Sequence, residues 1–419
     1  MSQSPVTPPA DAAEPLEVPS SSKMAASTRS TLLGAMFLMA TSAIGPGFIT
    51  QTTAFTVQLG VAFAFAIAVS IVVDVALQMN VWRVIGVTGR RAQELGNLVF
   101  PGLGWAMAGL LLLGGLVFNV GNVSGAGLGT DAMFGLDPRI GGGVSAAIAI
   151  GVFLSRRAGV AIDRIVVALG LVMISLTSYI AVSSGPPVGT ALKNVVLPEE
   201  VSFLAITTLI GGTIGGYIVY AGAHRLLDSG LSGPENVSAI TRGSIVGILI
   251  TGVMRIVLFL AILGVVVGGA ELDPSSQAAS AFEQAAGEVG LRVFGIVLWA
   301  ASITSVIGAS YTTVSFITSR TKTSERTRTA LVCGFIAFTT LVFVFVGTAP
   351  VTLLIFAGAF NGLLLPFGIA VLLWVATRRA DLLRGYVYPK WLLVAGWTAW
   401  LLTLYLAVRS VRPVIELFG

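Results

Sequence analysis

The chain has 419 residues, of which 55% are hydrophobic and only 10% are charged, and its mean hydropathy is +0.92. Soluble globular domains carry roughly 25% charged residues, so this composition excludes a soluble protein. The net charge of +5 does not indicate a nucleic-acid-binding surface, because the basic residues lie in short clusters between apolar runs, as topology signals do.

The N-terminal segment differs in composition from the rest of the chain. Residues 1–30 are rich in Ser, Pro, Ala and Glu and show no apolar periodicity, which is typical of a disordered tail. We expect this tail to be cytoplasmic. The first apolar run continues into the core pattern and lacks a convincing cleavage site, so we expect no removable signal peptide.

Long apolar segments alternate with short polar connections along the rest of the chain. A helix needs an apolar run of about 20 residues to cross a bilayer. The sequence predicts an all-α polytopic membrane protein with about 11 transmembrane helices, the fourth of them short. The apolar segments are 31–57, 61–82, 103–131, 141–155, 161–182, 203–224, 243–269, 291–318, 328–347, 350–376 and 391–411.

The basic residues predict the orientation of these helices. If the N-terminus is inside the cell, 18 of the 24 Lys and Arg residues fall in cytoplasmic segments. Because cytoplasmic loops carry the excess of Lys and Arg, this bias predicts a cytoplasmic N-terminus and an external C-terminus. We expect the protein to lie in the plasma membrane, which is the inner membrane in a bacterium with two.

Two of the predicted helices contain glycine-rich interruptions. In the first helix, Gly45-Pro46-Gly47 lies in mid-membrane and is followed by the polar run 50–53. In the sixth helix, four glycines fall within the six residues 211–216. Proline removes a helix hydrogen bond and glycine loosens the backbone. Unsatisfied backbone at this depth is tolerated only inside protein or along a wet cavity.

Interruptions in the first and sixth helices are typical of transporters built from two inverted repeats with a substrate site at their interface. The alternative is that the glycines merely allow close helix packing. We expect the glycines at 141–143 to lie in a loop. The predicted units are a first five-helix repeat over 31–182, a second over 203–376, and an additional C-terminal helix and tail over 391–419.

Four local motifs carry a resemblance to a known family: Gly45-Pro46-Gly47, Thr88-Gly89-Arg90, Gly212-Thr213-Ile214 and Leu365-Pro366-Phe367-Gly368. With these motifs and its number of spans, the chain resembles the natural-resistance-associated macrophage protein (NRAMP) family of divalent-metal transporters over roughly 35–400. It looks like a divergent bacterial-type member. The resemblance implies secondary active transport by alternating access, in a leucine-transporter-type 5+5 inverted repeat with helices 1 and 6 broken.

The metal ligands of the family are missing from the matching positions. Its first-span motif Asp-Pro-Gly-Asn is Gly45-Pro46-Gly47-Phe48 here, and its sixth-span Met-Pro-His is Gly215-Gly216-Tyr217. The acidic pair of the family's proton route aligns with Asn119 and Asn122, and a tenth-span glutamine ligand aligns with Gly358. Manganese and iron require carboxylate, imidazole or thioether ligands. The resemblance therefore supports the architecture but argues against the family substrate, and we predict no metal site.

The altered site favours an organic solute. Gly and Phe in place of Asp, Asn and Met enlarge the cavity and expose backbone amides, and half-helix N-termini suit carboxylates. We predict a small solute of amino-acid size that bears a carboxylate or an amide. The predicted substrate-binding residues are Gly45, Gly47, Phe48, Thr50, Gln51, Thr53, Gly212, Thr213, Gly215, Gly216, Tyr217, Asn119 and Asn122.

Four further residues are candidates for ion coupling. Asp74 and Arg255 lie deep in predicted spans, where charges are functional candidates, although a buried structural pair is the alternative. Asp74 would carry a proton, or Arg255 would balance an anionic substrate. Thr304 and Ser305 resemble an eighth-span pair that helps to hold sodium in leucine-transporter-type carriers, although hydroxyls also serve helix packing. The coupling ion is therefore either H⁺ or Na⁺.

Three classes of function remain open: a secondary transporter of an organic solute, a transporter of Mn, Fe or Mg, and a channel or receptor-like protein that no longer transports. We expect no enzyme, because no nucleophile–base set or phosphate-binding loop is visible. The single Cys333 and single His224 exclude an intrachain disulfide and a zinc site built from histidines. The expected partners are the solute and the lipid bilayer, with no cofactor, nucleic acid or obligate protein partner.

Overall fold

The structure is a computed structural model that describes residues 43–318, 323–346 and 349–418, and the backbone alone for 156–168. The predicted tail and residues 31–42 of the first apolar segment lie outside these ranges. The described residues form helices and no strand, so the all-α prediction is confirmed.

Fourteen α-helices follow one another in the described ranges, joined by loops and short 3-10 turns. They are α1 Pro46–Leu59, α2 Phe63–Thr88, α3 Ala92–Val99, α4 Leu103–Phe134, α5 Pro138–Leu154, α6 Arg156–Ser183, α7 Val188–Val196, α8 Phe203–Ile214, α9 Ile218–Asp228, α10 Val237–Val267, α11 Gln277–Ser315, α12 Glu325–Val346, α13 Pro350–Arg378 and α14 Lys390–Ile415.

Eight helical segments of the described chain are long and apolar enough to cross a bilayer, or nine if the bent pair 169–183 and 188–196 is one span. Each of the eleven predicted segments overlaps a helix, but eleven spans are not confirmed. Counted against nine spans, the difference from eleven has two sources. Helices α1 and α2 run on as one apolar stretch of 43 residues, and α5 has only 17 residues.

The lateral surface of the helices is apolar, as a lipid-facing surface must be. Large side chains such as Val72, Leu113, Phe345 and Leu401 are between 53% and 81% exposed. Many polar side chains are buried instead, on the inner faces of α1, α4, α8 and α11. This inversion of the usual pattern follows from lipid as the outer solvent.

Helix α1 lies at the centre of the bundle and packs against α4, α8, α10, α11 and α13. Its backbone leaves helical geometry at Gly45, which has φ −101° and ψ −171°, and Pro46 begins the helix. Proline suits this first position because its missing N–H would have no helical acceptor there. The predicted interruption of the first span is therefore present at Gly45.

The sixth span is also broken, but the break begins at Gly215, four residues after the start of the glycine run. Helix α8 ends at Ile214, Gly216 has φ +54°, and α9 begins at Ile218. Positive φ is open to glycine at little cost, which explains why the chain turns here. Gly211, Gly212 and Thr213, predicted within the interruption, are helical in α8.

The prediction of a loop at 141–143 is wrong. Helix α5 begins at Pro138, and Asp137 caps it by accepting hydrogen bonds from the backbone N–H groups of Arg139 and Ile140. Gly141 and Gly142 face neighbouring chain so closely that an added Cβ would lie 1.8 Å from the Thr130 hydroxyl or 2.8 Å from the Phe343 ring. Tight helix packing explains these glycines.

A substitution at the second break tests its geometry. At Gly216, an added Cβ would lie 2.0 Å from Asn361 Oδ1, whereas Gly185 has a similar φ of +60° and nothing within 4 Å. Left-handed backbone alone costs roughly 1–2 kcal/mol for an alanine. We expect Gly216→Ala to lower the thermal unfolding temperature of the purified protein several degrees more than Gly185→Ala. Equal shifts would contradict the close contact with Asn361.

Candidate functional site

The two breaks bring the N-terminus of α1 together with the side chains of Ser305, Asn122 and Tyr217 in the middle of the bundle. Helix α1 has neither a capping side chain nor an acidic residue in its first turn, so its first amides carry uncompensated positive partial charge. A Cβ on Gly45 would lie 2.8 Å from Ser305 Oγ and 3.7 Å from Asn122 Oδ1. The N-terminus of α1 therefore faces α4 and α11.

Asn122 and Tyr217 leave hydrogen-bonding atoms unused beside this N-terminus. Asn122 is 3% exposed and Tyr217 is fully buried, and the Tyr217 ring packs edge-on against Phe118 at 5.7 Å. The two polar groups approach each other, but neither Asn122 Nδ2 nor the Tyr217 hydroxyl has a hydrogen bond of good geometry. Unsatisfied buried groups are costly, so a polar ligand atom would be bound favourably here.

Gln51 joins the two broken segments to the tenth span. Its Nε2 donates to the Leu354 carbonyl of α13 at 2.8 Å, while Oε1 has no partner. A Cβ at Gly212 would lie 2.3 Å from that Oε1, and a Cβ at Gly358 would lie 2.4 Å from Nε2. Gln51 thus occupies the space beside position 358, where the family resemblance places a glutamine ligand.

Asn361 belongs to the same cluster and was not predicted. Its Nδ2 donates to the carbonyls of Gly114 and Ala357 at 3.0 and 2.9 Å, and its Oδ1 is unpaired and points at Gly216. A lone amide within the apolar tenth segment is the sequence signal that could have identified it, because buried polar residues in membrane helices are functional candidates.

The two intramembrane charges also meet at the breaks. Arg255 on α10 is 2% exposed, and its guanidinium lies over the Phe48 ring at 4.4 Å. Its Nη1 donates to Thr213 Oγ1 at 3.0 Å, so Arg255 contacts both broken segments. Asp74 on α2 is 1% exposed and lies beside Thr213 and Arg255. The structure places Asp74 and Arg255 together, as the alternative of a buried pair in the sequence analysis predicted.

Several predicted site residues use their polar groups elsewhere. The hydroxyl of Thr53 donates to the Ile49 carbonyl of its own helix, and that of Thr304 bonds within α11. The side chain of Asn119 donates to Ser310 and Thr339, on the side of α4 that faces α11 and α12. In the predicted eighth-span pair, Ser305 is the residue that faces the first break.

The donor set does not suit a divalent metal. In the described ranges, no three or more His, Cys, Asp or Glu side chains come close enough together to hold a metal ion. The groups around the breaks are amides, hydroxyls, a guanidinium and the single carboxylate of Asp74. Manganese and iron take carboxylate, imidazole or thioether ligands, and the buried Arg255 would repel a cation.

Access to the breaks differs between the two faces of the bundle. A small pocket reaches Thr50 between the ends of α4, α11 and α13 on the predicted outer side, and Leu128, Gln277 and Val351 line it. On the predicted inner side, Arg91, which directly precedes α3, joins this helix to α9 and α11. Its Nη2 donates to Asp228 at the end of α9 at 2.8 Å, and its Nη1 donates to the Ser315 and Thr318 carbonyls at the end of α11.

Comparison with known proteins identifies the family. Residues 36–412 match the family described as natural resistance-associated macrophage protein-like. The chain belongs to the NRAMP family. It is 51% identical over 367 residues to the uncharacterized membrane protein YcsG of Bacillus subtilis, with 88% of this chain and 90% of YcsG covered. It is 46% identical over 390 residues to an uncharacterized membrane protein of Haemophilus influenzae, with 93% and 98% covered.

Solved transporter structures share the fold. A mutant of the Eremococcus coleocola manganese transporter superposes with a TM-score of 0.72 and 18% identity, covering 97% of this chain and 91% of that one. MhsT in complex with L-phenylalanine gives a TM-score of 0.65 and 15% identity, covering 92% and 98%. The prediction of a leucine-transporter-type NRAMP fold is confirmed, and this NRAMP chain is a transporter-fold membrane protein.

The Arg91–Asp228 contact predicts how the predicted inner face opens. Both side chains are largely buried, 5% and 16% exposed, so loss of the charge-assisted bond costs about 1.5–3 kcal/mol. We expect Asp228→Asn to speed maleimide labelling of a His224→Cys, Cys333→Ser variant by roughly tenfold. The control is Asp381→Asn, which removes the exposed ion pair with Arg379. Equal labelling in both variants would contradict a closing role for Arg91.

Proposed function

We propose that the protein is a secondary transporter that moves a small organic solute bearing a carboxylate or an amide across the plasma membrane by alternating access. One observation carries this proposal. The unpaired polar atoms beside the two breaks belong to Gln51, Asn122, Tyr217, Asn361, Arg255 and Asp74, which together offer neutral donors and acceptors, one cation and one anion. Such a set suits an organic acid or amide. Arg255 already balances the single carboxylate, so a divalent cation would find no free counter-charge.

The fold neighbours support both kinds of cargo, so the donor set has to decide between them. One neighbour is described as a manganese transporter, and another is described in complex with L-phenylalanine. A carboxylate fits the free amides in the first turn of α1, where Arg255 lies over the Phe48 ring. Phe48 and Phe118 offer apolar contact for the remainder of the solute.

Transport of a divalent metal is the second candidate, since it is the activity that the family resemblance implies. A channel or a receptor-like protein is the third. Counterflow separates a carrier from a channel or a receptor-like protein, because only a carrier exchanges external labelled solute for unlabelled solute inside a vesicle.

Reconstituted protein tests the proposal directly. We expect liposomes preloaded with unlabelled solute to accumulate at least one of labelled lactate, succinamate, L-alanine, L-proline and 2-pyrrolidinone by counterflow. We expect Mn²⁺ and Mg²⁺ entry to equal that of protein-free liposomes. Metal entry without exchange of any of these organic solutes would refute the proposal, and 2-pyrrolidinone distinguishes an amide requirement from a carboxylate requirement.

A charge placed at the first break tests the position of the solute. Gly45→Asp and Gly45→Asn add side chains of equal size that meet Ser305 in the same way, but only the first adds a negative charge. Two like charges about 6 Å apart at an effective dielectric constant of about 20 repel by about 3 kcal/mol. We expect Gly45→Asp to exchange carboxylates roughly 100-fold more slowly than Gly45→Asn. Equal rates would place the carboxylate elsewhere.

A further inference from the structure

Arg255 has hydrogen-bonding capacity that the protein itself does not use. Its Nη1 is bound to Thr213, but Nε and Nη2 have no partner among the described residues, although the side chain is 2% exposed. The ring of Phe48 covers one face of the guanidinium at 4.4 Å. Two adjacent unpaired N–H groups on a guanidinium match the two oxygens of a carboxylate.

Asp74 balances this cation without forming a direct ion pair. Arg255 and Asp74 are not among the ion pairs of the described residues, which join a nitrogen and an oxygen no more than 4.0 Å apart. Asp74 Oδ1 has no hydrogen-bond partner, and the carboxylate lies beside Thr213. The pair is therefore held at a distance, with the Thr213 hydroxyl between its members.

Thr213 is able to serve either neighbour. Its oxygen accepts the hydrogen bond from Arg255 at 3.0 Å, and its single proton is directed at the Leu209 carbonyl at 2.8 Å. A hydroxyl rotates to suit its surroundings, so the same proton is available to Asp74. Rotation of the Thr213 hydroxyl thus alters the link between Arg255 and Asp74 without movement of a helix.

Among the described residues, no other charge compensates Asp74. Within this part of the chain, Arg255 is the one charged group that acts on Asp74, and Asp74 is the one that acts on Arg255. Tyr217, which precedes α9, and Tyr220 and His224 on α9 are not among the groups that act on Asp74. The charged residues of the other helices packed against α2 lie towards helix ends, and they are Lys193, Arg225, Asp228, Arg242, Arg378, Lys390, Arg409 and Arg412.

We propose that the carboxylate of the solute replaces Asp74 as the counter-ion of Arg255, and that Asp74 then takes up a proton, so that the protein carries the anion and H⁺ together. This inference rests on the proposed function and names its substrate class and coupling ion. Before binding, the buried charges are one cation and one anion. After binding they are Arg255, the solute carboxylate and a neutral Asp74, so the sum stays at zero.

The electrostatics of the membrane interior favour this exchange. An uncompensated charge at this depth is costly, and protonation is the usual way for a buried carboxylate to avoid it. The proton comes from the external solution and adds to an Asp74 oxygen, and no bond of the solute forms or breaks. On the inner side the solute leaves, Asp74 releases its proton to the cytoplasm, and it again balances Arg255.

The wild-type protein alone tests the coupling. Liposomes that contain the pH dye pyranine are given external lactate or succinamate at equal sodium on both sides. We expect one proton to enter per anion, an inward proton gradient to drive accumulation, and a valinomycin-imposed potential to have no effect. Accumulation driven by a sodium gradient at equal pH, or anion entry without protons, would overturn the inference and leave the proposed transport intact.

Asp74→Asn separates exchange from coupling. Asparagine at position 74 is neutral in both states, so we expect accumulation driven by a proton gradient to fall much further than lactate or succinamate counterflow. The matched control is Asp131→Asn at the end of α4, which should keep both activities. Proton-driven accumulation that survives in Asp74→Asn would overturn the inference. If no organic solute exchanges even in the wild-type protein, the proposed function itself fails.

Thr213→Val provides a second variant, matched by Thr251→Val, whose hydroxyl bonds only to the Ile248 carbonyl within α10. We expect Thr213→Val to lower the number of protons that enter per anion at least twofold and Thr251→Val to leave it unchanged. An unchanged ratio in Thr213→Val would remove Thr213 from the coupling path.

Arg255→Gln should abolish exchange of lactate but not of 2-pyrrolidinone if the neutral amide is also a substrate.

Discussion

The interior of a bilayer provides no water for an unpaired peptide group, and this constraint organises the structure around its two interrupted helices. Gly45, Gly215 and Gly216 leave helical geometry in the middle of the bundle. Both breaks are therefore enclosed by other helices, and α1 packs against five of them. The remaining helices present apolar side chains outward, so the described protein encloses polar backbone within an apolar exterior.

The same constraint explains the chemistry of the enclosed space. Charges are costly there, and the structure holds one cation, Arg255, and one anion, Asp74, in a compensated arrangement across Thr213. The other polar groups at the breaks are neutral amides and hydroxyls. A family fold is thus combined with a site whose two buried charges cancel and whose sequence lacks the metal ligands of the family.

Much of the fold was predictable because the relevant signals are local. Apolar runs long enough to cross a bilayer predicted the helices, and Pro46 and Gly216 each alter their own backbone whatever surrounds them. The repeat boundaries stay a prediction. The position of the glycines in α5 was predicted wrongly, because Gly141 and Gly142 serve close packing against Thr130 and Phe343, which local sequence does not indicate.

The sequence by itself determined the membrane class, the helical composition, the two interruptions and the loss of the family's metal ligands, since each depends on residue types at adjacent positions. The tertiary structure alone decided which polar groups share the site. It moved Asn119 away to Ser310 and Thr339, added Asn361, and joined Asp74 to Arg255 through Thr213. These contacts link residues far apart in the chain, and their partners depend on helix packing angles and rotations that no local pattern encodes.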